Sequence, residues 1–173
     1  MRYGAFLFTG FVMILLQSNL FRALSHLHVP GLVPSLVLPL IVFMGVQEYP
    51  LAKGAAVAFG LGYATDLVGI SPVGLFTFTY VGLYVLARAA GVRLAAQTVW
   101  MQLALGLGFA LLEATTVLVL LAIFGRDPYV PRALYRLVLP HVLATAALAP
   151  LLFQLARRIH TATARSETSG GRA

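Results

Sequence analysis

The chain has 173 residues, of which 60% are hydrophobic and 10% charged, with a formal net charge of +7 and no cysteine. Soluble domains average about 45–50% apolar and about 25% charged residues, so this composition excludes a water-soluble globular fold and, more firmly, a disordered chain. What remains is an all-α polytopic membrane protein, with no disulfide, thiolate chemistry or Cys-based metal site.

A helix needs about 20 apolar residues to cross a roughly 30 Å hydrocarbon core. Cut at charges, prolines and turn residues, the apolar runs give six predicted spans: 3–21, 32–48, 51–70, 72–90, 97–124 and 134–156. Together they form one transmembrane domain over 1–156. A Ser/Thr/Gly-rich stretch over 157–173 follows, read as a flexible basic tail.

The first span ends at Arg22. Its Arg2, apolar stretch and Ala23-Leu24-Ser25 also fit a cleavable signal peptide, but the run is long enough to cross and is expected to be retained. Pro30 and Pro34 keep the next loop extended, and Glu48-Tyr49-Pro50 separates the second span from the third. The third span carries Gly54, Ala58, Gly62 and Asp66 at strict i+4 spacing, a ridge of small residues along which another helix can approach closely. Ala56, Gly60 and Ala64 make an adjacent ridge, and Gly74, after the Gly69-Ile70-Ser71-Pro72 break, is read with these packing glycines.

The fifth span aligns Gln102, Gly106, Ala110 and Glu113 on one face, and the sixth aligns His141, Thr145 and Ala149. The loop between them, from Arg126 to Arg136, carries Tyr129 and Tyr135. With six spans, eight Lys/Arg fall on the side of both termini and four on the other. The positive-inside rule then places both termini in the cytoplasm and explains the +7 better than nucleic-acid binding does.

Four polar residues lie inside the spans: Asp66, Gln102, Glu113 and His141. A carboxylate at a helix centre costs about 2.5–3.5 kcal/mol on insertion scales, so each must face the bundle interior or water, or be protonated. Asp66 reads as a proton or ligand site, or as a clamp between helices or a cap on the fourth helix near Ser71; the structural role is favoured. Glu113 and Gln102 line a small-molecule cavity or contact a neighbouring helix or partner. His141 reads as a hydrogen-bonded packing residue. No H-E-x-x-H, G-x-S-x-G or Walker A pattern is present, and His26 and His28 do not share a helix face, so neither catalysis, a cofactor nor a metal is expected.

These features resemble the rod shape-determining protein MreD family. The resemblance rests on Leu16-Gln17-Ser18, Pro34-Ser35-Leu36-Val37-Leu38, Gly54-x5-Gly60-x5-Asp66 with Gly74, and the Ala149-Pro150 to Arg158 closing helix. Ser35 stands where the family often has Asp or Asn, and Glu113 is similar to an acid in its fifth helix. The resemblance implies a non-enzymatic subunit of the cell-elongation machinery in the bacterial cytoplasmic membrane. It would bind MreC and, through it, the MreB filament and the peptidoglycan synthases. It also implies a fold similar to the substrate-binding subunits of energy-coupling-factor transporters. The alternative reading is therefore a vitamin-like small-molecule binding subunit, in which Asp66, Gln102, Glu113 and His141 converge on one cavity. Such subunits dock through an Ala-x-x-x-Ala helix, where this chain offers Ala5-x-x-x-Thr9.

Overall fold

The computed structural model describes residues 2–26, 33–47, 49–69, 72–90, 98–124 and 129–169. These form α1 (Arg2–His26), α2 (Val37–Val46), α3 (Leu51–Val68), α4 (Leu75–Ala89), α5 (Val99–Phe124) and α6 (Tyr129–Ser169). His28, Pro30, Glu48, Ser71, Arg93 and residues 125–128 lie outside the described residues.

Three helices are long and apolar enough to cross a bilayer, over Tyr3–Leu20, Val99–Phe124 and Leu137–Ala162. Phe8 is 70% exposed, Phe78 65%, Phe124 74% and Leu139 69%. Rings and aliphatic chains displayed this widely suit lipid and not water. The chain is a membrane protein.

Its helices pack mainly in two pairs, α3 with α4 and α5 with α6, while α2 packs against α4, α6 and α1. All ten residues of α2 are buried. At 1.5 Å per residue it rises only about 15 Å, half a hydrocarbon core. Within the expected second span over 32–48, the helical part therefore covers Val37–Val46 alone. A continuous apolar run reads alike for a core helix and a span, because both environments are apolar all round.

Helix α6 also departs from expectation. It begins before 134, passes Pro140 and Pro150, and runs to Ser169 through residues expected as a flexible tail. Residues 157–169 contain no Gly or Pro to stop a helix, and continuing it does not require them to be apolar. Proline inside a membrane helix is tolerated where neighbouring groups accommodate the freed backbone. Pro150 has no N–H for the Ala146 carbonyl, and beside that turn Gly106 of α5 lies against Ala146 and Ala149.

The α3–α4 seam follows the small-residue ridge, with Gly54, Ala58, Gly62 and Asp66 all buried. A Cβ added at Gly62 would stand 2.6 Å from the Thr77 Cα and 2.8 Å from the Phe76 carbonyl oxygen, so only glycine admits this approach. Gly54 lies under the Tyr84 hydroxyl, which donates to the Tyr49 carbonyl at 2.9 Å. Two glycines do not serve the seam. Gly60 is half-buried and faces Leu7 of α1, with a Cβ position 3.9 Å from that side chain. Gly74 contacts nothing through a Cβ position; its φ of 101° is what requires glycine at the start of α4.

Candidate functional site

Two polar joints occupy the interior, and each begins where a helix starts. The first N–H groups of a helix have no partner within it. Helix α4 has no side-chain cap of its own, and Asp66 of α3 supplies one across the seam. Its Oδ2 accepts from the Gly74 N–H (2.9 Å), the Thr77 N–H (3.0 Å) and the Thr77 hydroxyl (2.7 Å). Its Oδ1 accepts from the Phe76 N–H at 2.9 Å. A carboxylate at a helix N-terminus gains both these hydrogen bonds and the helix dipole. With four donors on it, Asp66 works as a tertiary helix cap.

The second joint surrounds the non-helical residues that lead into α2. Irregular backbone within a membrane persists only where protein groups satisfy it. Here two helices, α1 and α6, do so. Gln17 Oε1 of α1 accepts from the Leu36 N–H at 3.0 Å. Thr145 Oγ1 of α6 accepts from the Ser35 N–H at 2.9 Å, while its own hydroxyl donates to the His141 carbonyl at 2.8 Å. His141 Nδ1 lies 2.6 Å from the Val33 carbonyl. A carbonyl only accepts, so Nδ1 carries the proton. Pro34 is buried within this segment.

Glu113 of α5 completes the joint. Its Oε1 accepts from the Ser35 hydroxyl at 3.0 Å. Its Oε2 is buried without a hydrogen bond among the described residues and lies 3.7 Å from His141 Nε2. The buried Tyr80 hydroxyl faces Glu113, Ser35 and Thr65, also without a hydrogen bond of good geometry. Beside this group opens a cavity of about 250 Å³, which Gln17, Ser35, Glu113 and His141 line at its polar end. Val117, Leu118 and Val138 are among its apolar walls.

Of the four polar residues singled out in the spans, the structure therefore brings Glu113 and His141 together. Asp66 belongs to the other joint, although Phe76, whose N–H it holds, also borders the cavity. Gln102 is buried on the same α5 face as Gly106, Ala110 and Glu113 but is not part of the cavity wall. Tyr80 and Thr77 carried no sequence signal, since isolated hydroxyls occur throughout apolar helices. Among the described residues no three His, Cys, Asp or Glu side chains come together.

A third cluster lies around Tyr49. The Tyr49 carbonyl also accepts from Arg88, and its hydroxyl lies 2.6 Å from His160 Nδ1. Phe6, Phe43 and Phe153 fill the space around it through edge-on and stacked rings. In comparisons with known proteins, no family model, no curated protein and no solved structure matches the chain.

Proposed function

We propose that this chain is a non-enzymatic MreD-type subunit of the bacterial cell-elongation machinery. On this reading it crosses the cytoplasmic membrane six times with both termini inside. It holds the membrane helix of MreC against its lipid-facing surface, and MreC links it to MreB and the peptidoglycan synthases. One observation carries the reading: residues on which the MreD resemblance rests are the joints of the fold. Gln17 caps the entry to α2, Asp66 and Gly74 start α4, and Gly54 lies in the α3–α4 seam. A motif spent on holding helices in register suits a scaffold.

The short α2 is compatible with six crossings. Its ten helical residues and the non-helical Val33–Ser35 lead-in together cover roughly 25 Å. The eight-to-four bias in Lys and Arg sets the orientation. Association with MreC would come from van der Waals packing and interhelical hydrogen bonds, since apolar burial gives little drive within lipid.

The test is Gly62→Leu, whose side chain must push Thr77 and Phe76 away and open the α3–α4 seam. In a rod-shaped host depending on this chain, the variant is expected to lose co-purification with MreC and to give rounded cells. Normal rods and unchanged MreC recovery would count against the proposal.

A further inference from the structure

The cavity beside Glu113 has a polarity of its own that the scaffold role leaves unused. We infer that it is a binding site for a small amphiphilic primary amine, with the ammonium on Glu113 and a short apolar tail along Val117, Leu118 and Val138. Glu113 is 2% exposed and lines the cavity, and its Oε2 has no hydrogen bond among the described residues, the Tyr80 hydroxyl facing it without one of good geometry. Leaving such an acceptor unfilled is costly, the more so for a charged group. A donor from a ligand removes that penalty.

The neighbouring atoms select the kind of donor. His141 Nδ1 is committed to the Val33 carbonyl. Its Nε2, 3.7 Å from Oε2, therefore offers a lone pair toward the same space when the ring is neutral. Gln17 Oε1, which has one N–H on it already, has a second lone pair. An ammonium has three N–H donors and can bridge such acceptors; a quaternary amine has none. Among the described residues the wall carries one acid, Glu113, and no Lys or Arg, which favours a cation over a carboxylate or phosphate. The remaining wall is apolar, which sets the tail. A free alkylamine and the ethanolamine ammonium of a phospholipid share the N–H donors, and the first alone places an apolar tail directly beside them.

The test uses the delipidated full-length protein in detergent, titrated calorimetrically with hexylamine, hexyltrimethylammonium and hexanoate. The Leu118→Trp variant fills the cavity while leaving both joints intact, so its titration subtracts partition into micelles. Hexylamine is expected to bind wild type saturably and Leu118→Trp not at all, with the other two probes showing no saturable binding. Glu113→Gln keeps an acceptor for Ser35 but loses the charge, and should weaken hexylamine by about tenfold or more. No saturable binding of hexylamine to wild type would overturn the inference, as would equal affinity in Glu113→Gln or equal binding of hexanoate. Repeating the titration in phosphatidylcholine nanodiscs with and without phosphatidylethanolamine separates the two sources. Competition by phosphatidylethanolamine assigns the site to a lipid headgroup, and its absence assigns it to a free amine.

Discussion

Asp66 shows how one side chain resolves two problems of a membrane interior. A carboxylate there is expensive, and so is a helix start whose N–H groups have no water. Placing the carboxylate on the N–H groups of Gly74, Phe76 and Thr77 removes both at once. Asp66→Asn is expected to lower stability by about 2–3 kcal/mol, because the amide nitrogen cannot accept and leaves buried donors unsatisfied. Unfolding in mild detergent measures this, and a midpoint within error of wild type would contradict the capping role. The sequence places Asp66 near the turn into the next helix, which is why capping was readable there. The Glu113–His141 pair was less readable. The two residues sit on different helices, and which faces meet depends on packing that no period encodes.

At the level of elements, the small-residue ridge of α3 sorts its glycines by what stands opposite them. Gly62 meets backbone of α4, whereas Gly60 meets one flexible leucine at ordinary contact distance. Gly62→Ala is therefore expected to destabilise the bundle markedly, and Gly60→Ala to be tolerated within about 0.5 kcal/mol. Thermal midpoints of the two variants, compared in one detergent, decide the matter; equal loss in both would refute the assignment of the seam. Period-4 spacing revealed the ridge itself. It did not separate Gly60 from Gly62, since both lie on small-residue rows. Nor did it reveal that Gly74 serves a left-handed backbone turn instead of a close approach. The shortness of α2 escaped for a related reason: Val37–Val46 is apolar at every position, and such a run does not show where its helical part begins.

For the whole molecule, the exposed apolar side chains on α1, α4, α5 and α6 describe a surface made for lipid, with polar groups gathered at joints inside. Val73 and Phe124 border one apolar groove and so lie at one end of the fold. The proposed six crossings put that end outside the cytoplasm and Thr161 within it. The absence of cysteine makes single-cysteine labelling a clean test of this arrangement. Val73→Cys and Phe124→Cys are expected to react with an impermeant maleimide in intact spheroplasts, and Thr161→Cys only after permeabilisation. Labelling of all three from one side would contradict it.

The proposed role turns on the partner. The most direct measurement is recovery of the tagged, wild-type protein from its rod-shaped host in mild detergent, with the co-eluting membrane proteins identified by mass spectrometry. MreC is expected in stoichiometric amount and is expected to be lost from the Gly62→Leu eluate. A monodisperse wild-type protein recovered repeatedly without MreC, from cells that contain it, would contradict the scaffold assignment.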